Sequence, residues 1–135
     1  MRLTLLAGVL AMTTLSPATA EEPAKKAERL FEMRTYYPAE GKMDALLARF
    51  RDHTVKLFEK HGMINVGYWV EKKDGKEKLV YIVSHASKAA ADESWKAFRT
   101  DPVWTKARDA SEVGGKLVDK IEVVWMSPTD FSAIK

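Results

Sequence analysis

This chain has 135 residues and no cysteine, which excludes disulfide bonds, thiolate catalysis, cysteine metal ligands and a lipid-bearing N-terminal cysteine. Its formal net charge is only +3, and acidic and basic residues are mixed along the chain, which argues against nucleic acid as a partner. The length is enough for one hydrophobic core and not for two.

The N-terminus has the pattern of a signal peptide over residues 1–20. A positive start at Arg2 precedes an apolar run over residues 3–15, and an A-x-A cleavage site ends at Ala20. The run is shorter than the ~20 apolar residues that span a membrane, which favours cleavage near Ala20 over the alternative, an uncleaved N-terminal anchor. We therefore predict an exported protein, periplasmic or secreted, with no membrane insertion after cleavage.

A polar lead-in over residues 21–29 precedes a predicted domain over residues 30–135. Within that domain, turn residues and hydrophobic spacing separate four strands from the helical segments. We predict strands at 30–37, 63–73, 78–85 and 119–126, helices at 43–61 and 102–112, and a further helix that follows the N-cap Ser87 and contains 92–99. Gly62 is predicted to cap the first helix, and Asp74-Gly75 to form the hairpin turn between the second and third strands. The order βαββαβ predicts an α+β fold of the ferredoxin-like kind, a four-stranded antiparallel sheet with its helices on one face.

The predicted strands are apolar on both faces, which is unusual for a sheet with helices on one side and water on the other. In the second strand, alternation places Tyr68 on one face, and places Trp69 on the other together with Asn65. Because two helices cover only one face, the second face needs a partner. A second copy of the same sheet is the simplest one, so we predict a homodimer.

Several local patterns occur together in this chain. They are the first strand 31–36 (FEMRTY), the segment 57–63 (LFEKHGM), the segment 95–104 with its Asp-Pro-x-Trp end, and the tail 127–132. In this combination the chain resembles the NIPSNAP family from roughly residue 30 to its end. The resemblance implies the dimeric α/β-barrel superfamily. Relatives in that superfamily include cofactor-independent monooxygenases and haem-degrading or haem-binding proteins.

The three histidines lack the spacing of a metal site, so we predict no metal and no cofactor. For His61, at the end of the first helix, two interpretations remain. It is a base or ligand in a pocket between helix and sheet, or a histidine stabilised by the helix dipole. His85 ends a strand on the face of Tyr81, where it is a candidate pocket-mouth residue.

Arg34 lies inside the first strand and shares a face with Glu32 and Tyr36. A buried arginine needs a partner. That partner is either Glu32 or a group across the dimer interface. Alternatively, Arg34 binds an anionic ligand through bidentate hydrogen bonds. The many aromatic side chains form core and dimer packing, or they line a pocket for a flat ligand.

Two classes of function therefore remain. The first is an exported dimeric binding or interaction module, whose partner beyond a second copy is a small aromatic or anionic ligand. The second is a cofactor-independent monooxygenase or a haem-handling protein with a pocket between helices and sheet. No residue set in the chain demands catalysis, so we prefer the module. The candidate ligand-binding residues are Arg34, Tyr36, His61, Asn65, Trp69 and His85.

Overall fold

The computed structural model describes Ala20 and residues 28–135; the predicted signal peptide and most of the lead-in lie outside these residues. The described chain has these elements: β1 (Leu30–Pro38), α1 (Met43–Arg49), a π-helical turn (Phe50–Thr54), α2 (Val55–Lys60), β2 (Ile64–Lys73), β3 (Lys76–His85), α3 (Lys88–Thr100), α4 (Pro102–Ser111) and β4 (Val118–Met126).

The four strands form one antiparallel sheet in the order β2-β3-β1-β4. The helices pack on one face of this sheet, where Tyr36, Leu79 and Tyr81 meet Phe50 and Phe58 in the core. This arrangement confirms the predicted ferredoxin-like α+β fold. Strands β1 and β3 are interior, whereas β2 and β4 are the two edges.

The turns and helix ends follow the predicted signals. Gly62 ends α2 with a φ of 83°, a left-handed conformation that glycine adopts without steric cost. Asp74 and Gly75 both have positive φ in the β2–β3 hairpin, as a tight two-residue turn requires. The Ser87 hydroxyl accepts a 3.0 Å hydrogen bond from the Ala90 backbone N–H and so caps α3.

The predicted helix 43–61 is interrupted by the π-helical turn at Phe50–Thr54. The Thr54 hydroxyl donates a 3.3 Å hydrogen bond to the carbonyl of Arg49, five residues earlier, across this turn. The wider turn leaves the hydrophobic side of the helix intact, because Phe50 and Thr54 are both buried. Turns of this kind are frequent at functional sites.

The prediction that Asn65 and Trp69 share a face is wrong. A β-bulge between Asn65 and Gly67 inserts one residue into β2, which reverses the alternation of faces beyond it. Asn65 therefore lies on the face that the helices cover. Trp69 lies on the other face, where it pairs with Val80 of β3. The Trp69 ring covers Gly67 so closely that a β-carbon there would lie 2.4 Å from it.

The face of the sheet away from the helices is apolar and largely uncovered. We call it the open face. Its apolar members are Ile64, Trp69, Val80, Ile82, Met33, Val124 and Met126, identified by their cross-strand pairing. Trp69 is 53% exposed and Val124 is 46% exposed. Among the described residues, no helix is long and apolar enough to cross a membrane.

Candidate ligand site

The helices leave the edge strand β4 uncovered even on the side that faces them. Ile121, Val123 and Trp125 are 44%, 41% and 38% exposed. They lie directly opposite Tyr36, Arg34 and Glu32 of β1, respectively. Residues opposite each other in an antiparallel pair point to the same side of the sheet. We call the resulting depression the β4 groove; its floor is Ile121, Val123 and Trp125 together with Arg34 and Tyr36.

Glu32 is the centre of a buried polar network beside this groove. Its carboxylate is 1% exposed and accepts hydrogen bonds from His85 Nε2 at 2.8 Å, Trp95 Nε1 at 2.7 Å and Arg34 Nη1 at 2.7 Å. Burial alone would raise the pKa of Glu32, but the hydrogen bonds from His85, Trp95 and Arg34 outweigh it and lower the pKa. Glu32 is therefore held as a carboxylate.

Arg34 extends along the groove with its guanidinium 4.2 Å from the centre of the Trp95 ring, within cation–π distance. Among the described residues its only hydrogen bond runs from Nη1 to Glu32, and its Nε is buried without a partner. An unpaired buried donor costs about 1–3 kcal/mol. Arg34 is thus held in place by Glu32 and Trp95, and its Nη2, which makes no hydrogen bond in the described chain and is not completely buried, remains available to a ligand.

A cavity of about 180 Å³ adjoins the groove at the Tyr36–Ile121 end. Five aromatic side chains line it: Tyr36, Phe50, Phe58, Phe98 and Trp104. Arg49, which is 6% exposed, also lines it. The Arg49 Nη1 donates to Ser111 Oγ at 3.2 Å and to Glu112 Oε1 at 3.1 Å.

Sequence reasoning missed Arg49, although a signal was present. Arg49 lies three residues after Leu46 and next to Phe50, so it falls on the apolar side of the helix. An arginine in that position is expected to be buried, and a buried arginine needs a partner or a ligand.

The structure brings only part of the predicted site together. Arg34 and Tyr36 both lie in the β4 groove. His85 is 1% exposed and bonded to Glu32, with its ring 5.9 Å from that of Trp125. It therefore lies beneath the groove, behind Glu32, instead of at a pocket mouth.

The other three candidates lie elsewhere. His61 bonds Asp101 Oδ2 at 2.7 Å, which ties the end of α2 to the α3–α4 junction. Asn65 donates to the Val55 carbonyl at 3.1 Å and so joins β2 to α2. Trp69 lies on the open face, on the same edge strand as Asn65. Strand β2 is three strand spacings from β4, or about 14 Å.

A larger concavity, of about 790 Å³, lies between the β2–β3 hairpin and the β1–α1 turn. Its charged lining mixes both signs, with Lys72, Lys76 and Lys78 beside Glu40 and Asp44. No buried side-chain atom without a partner belongs to it. The β4 groove and the cavity at its end have two arginines with unpaired buried atoms, Arg34 and Arg49, and are the better candidate. Within residues 28–135, no cluster of three or more histidine, aspartate or glutamate residues could hold a metal ion.

The NIPSNAP family model matches residues 31–133, which is most of the chain. This chain belongs to the NIPSNAP family. A NIPSNAP family protein of unknown function from Agrobacterium tumefaciens shares 22% identity over 82% of this chain and 97% of its own, with a TM-score of 0.71. A NIPSNAP-like domain protein from Burkholderia xenovorans shares 12% identity over 78% and 90%, with a TM-score of 0.68.

A protein from Pseudomonas aeruginosa has the same fold, with 14% identity over 78% of this chain and 99% of its own and a TM-score of 0.53. At these identities the solved structures establish the fold alone. No protein of curated function matches the chain.

Proposed function

We propose that this NIPSNAP family member is an exported homodimeric binding module. Each copy holds, in its β4 groove, a small molecule with an apolar body and a carboxylate. The second copy covers the open face. The observation that carries this proposal is the β4 groove itself, whose apolar floor is exposed next to a fixed guanidinium with unused donors.

The groove has two features of a binding site for such a molecule. Its floor offers Ile121, Val123 and Trp125 to an apolar body, and burying them would remove apolar surface from water. Arg34 lies beside Val123 with donors left over for an acceptor such as a carboxylate. Glu32 and Trp95 fix the guanidinium in advance, so little of its side-chain entropy is lost on binding.

The histidines favour binding over the monooxygenase or haem-handling alternative. His85 is buried beneath the groove at 1% exposure, His61 lies at the α3–α4 junction, and His53 is exposed on the π-helical turn, so within residues 28–135 no imidazole is open to the groove. A general base or an iron ligand would need an imidazole or a comparable group aimed into the site. The groove instead has a fixed cation and an apolar floor.

Two further features support the dimer and the export. The central row of the open face, formed by Ile82, Met33 and Val124, carries no charge. The acid in the next row, Glu122, is already paired with Lys120 and Tyr37, so two copies of this face could pack around a two-fold axis. Uncovered apolar patches of more than a few hundred Å² are unusual on monomers. The apolar run and the A-x-A site before Glu21 support export.

The test begins with native mass spectrometry of the exported protein, which shows whether a small molecule co-purifies. Decanoate then serves as a probe with an apolar body and a carboxylate, titrated by calorimetry. We expect Arg34→Ala to weaken decanoate binding by about 2–4 kcal/mol. Arg51→Ala, which removes the same charge from an exposed position on the π-helical turn, should leave it unchanged.

Arg34→Lys separates a ligand role from a structural one. Lysine keeps the positive charge and can keep a hydrogen bond to Glu32, but it lacks the planar guanidinium that binds a carboxylate through two parallel hydrogen bonds. A ligand anchor predicts weaker decanoate binding with little change in melting temperature. If wild-type protein binds neither a co-purified molecule nor decanoate, and Arg34→Ala only lowers stability, then Arg34 is a structural ion-pair member and the groove is not a binding site.

A further inference from the structure

The 180 Å³ cavity at the end of the β4 groove is bounded by the π-helical turn. Phe50 and Thr54, the first and last residues of that turn, both line the cavity, and Arg49 directly precedes it. The interruption of the helix therefore coincides with the wall of a cavity. Such interruptions recur at functional sites, and here the turn is the only π-helical segment of the described chain.

Arg49 gives the cavity a buried cation with unused donors. Its Nη1 makes both of its hydrogen bonds, to Ser111 and Glu112, and its Nε is buried with no partner in the described chain. Its Nη2 makes no hydrogen bond there and is not completely buried, so Nη2 is the donor that a ligand in the cavity could reach. The guanidinium also lies 5.2 Å from the centre of the Trp104 ring. Because Glu112 is already bonded to Arg49 and is partly exposed, it does not satisfy the remaining donors.

Tyr36 gives the cavity a second donor. Its hydroxyl lies 3.0 Å from the hydroxyl of Tyr81, which is fully buried. The Tyr81 hydroxyl donates this hydrogen bond and the Tyr36 oxygen accepts it, so the O–H of Tyr36 is left without an acceptor in the described chain. Only Tyr36 of the two lines the cavity. A ligand oxygen there could accept hydrogen bonds from the Tyr36 hydroxyl and from the free N–H of Arg49.

The remaining wall sets the shape and size of what fits. Phe50, Phe58, Phe98 and Trp104 surround the space, and aromatic walls of this kind favour a flat apolar group. A cavity of about 150 Å³ is known to hold one benzene ring, and this one has about 180 Å³. It therefore has room for a single ring with a small substituent.

We propose that this cavity binds a single-ring aromatic acid, with Arg49 and Tyr36 holding its carboxylate. The proposal rests on the proposed binding function and narrows its ligand class. Arg34 would then contact only those ligands that extend from the cavity into the open groove. Ile121, which lines both spaces, is where such a ligand would pass from one to the other.

Benzoate is the probe. It is titrated into the full exported protein, and binding is followed through the tryptophan indole N–H signals in NMR spectra, of which the chain gives only four. We expect the Trp104 signal to shift. Benzyl alcohol, which lacks the carboxylate, should bind at least about 10-fold more weakly, as expected when a charged hydrogen bond is lost.

Two variants test the residues by independent routes. Arg49→Met removes the donors and keeps the length of the side chain, and we expect at least about a 10-fold loss of benzoate affinity. Ile121→Trp fills the cavity from its exposed edge, leaves Arg49 in place and should abolish benzoate binding. Val113→Trp adds the same group on an exposed loop and is the control that should bind normally. A thermal melt of each variant checks that it is folded.

The outcomes separate this inference from the proposed function. If benzoate fails to bind, or binds equally well to Arg49→Met and Ile121→Trp, the aromatic-acid site is wrong. The proposed function survives that result if decanoate still binds in an Arg34-dependent way. If neither benzoate nor decanoate binds the wild-type protein, both proposals fall together. Benzoate binding that is lost in both cavity variants and kept in Val113→Trp supports the site.

Discussion

The indole Nε1 of Trp95 donates a 2.7 Å hydrogen bond to Oε2 of Glu32, so one buried contact ties helix α3 to the interior strand β1. The same carboxylate holds His85 and Arg34. Three donors thus converge on one acid that the fold buries completely. This network positions the guanidinium of the proposed ligand site, so the stability of the fold and the geometry of the groove depend on the same residue.

Glu32→Gln should be strongly destabilising. The amide group keeps the shape of the side chain but loses the charge, and it brings a donor among three donors, leaving the buried Arg34 without its counter-ion. We expect a loss of about 3 kcal/mol in the free energy of unfolding at pH 7, as for other broken buried ion pairs. Chemical denaturation measures it. Glu93→Gln, which alters an exposed carboxylate of α3, is the control and should be neutral.

The same variant should also change the pH dependence of stability. The pKa of Glu32 is lowered from its ordinary value of 4.5, so its contribution is complete above that pH and is lost as the pH falls below it. The wild-type protein should therefore lose stability in acid more steeply than Glu32→Gln. Equal slopes for the two proteins below pH 4.5 would mean that Glu32 is not held ionised.

Asp101 makes a second acid-sensitive contact, at the junction of α3 and α4. Hydrogen bonds from Lys60, from His61 and from the Val103 backbone lower the pKa of Asp101 well below its ordinary value of 3.8. Its contribution to stability is therefore present above pH 3.8 and is lost as the pH falls further.

Asp101→Asn tests this contact. Asparagine still caps α4 but gives up the charge that attracts Lys60 and His61. We expect a lower melting temperature than wild type at pH 7, and a difference that shrinks as the pH falls toward 2. Asp109→Asn, which breaks only the exposed pair with Arg108, should follow the wild-type curve at every pH. A difference that persists unchanged at pH 2 would assign Asp101 a purely packing role.

The sequence was sufficient for the elements, their order and several of their ends, because these depend on local signals. Ser87, Gly62 and the Asp74–Gly75 turn act within a few residues, and the structure has each of them in its predicted role. The Arg34–Glu32 ion pair was also among the predictions, since residues two apart on a strand share a face.

The failures have a physical origin in longer-range geometry. A prediction from strict alternation cannot include an inserted residue, so it assigned Trp69 to the wrong face beyond the bulge at Asn65–Gly67. A glycine inside a strand, such as Gly67, is a sequence signal for such a bulge. The β4 groove could not be predicted, because it arises from how far the helix layer extends across the sheet. The exposure of Val123 and Trp125 follows from that tertiary arrangement alone.

The export prediction is tested at the N-terminus. The run over residues 3–15 is shorter than the ~20 apolar residues that span a membrane, and small residues precede Glu21, so we expect cleavage rather than an uncleaved anchor. We expect N-terminal sequencing of the exported protein to begin at Glu21. An Ala20→Leu variant, with a large side chain at the cleavage site, should be processed slowly and accumulate at full length. A wild-type chain that still begins at Met1 would establish the uncleaved anchor.

The proposed dimer depends on the open face, and Val124 is the residue that probes it best. Val124 is 46% exposed and lies opposite Met33 on that face, away from the core and from the β4 groove. In a dimer packed through the open faces, a lysine there would bury an unpaired ammonium, and the two-fold axis would bring a second one with it. We expect Val124→Lys to weaken dimerisation by about 100-fold or more.

Sedimentation velocity over a dilution series measures this effect. Val113→Lys is the matched control, because it places the same lysine on an 87% exposed loop valine away from the sheet. The control should sediment as a dimer like the wild type, while Val124→Lys sediments as a folded monomer with the same secondary structure. A wild-type protein that is monomeric at micromolar concentration would contradict the dimer. A dimer that withstands Val124→Lys would mean that the two copies associate through some surface other than the open face.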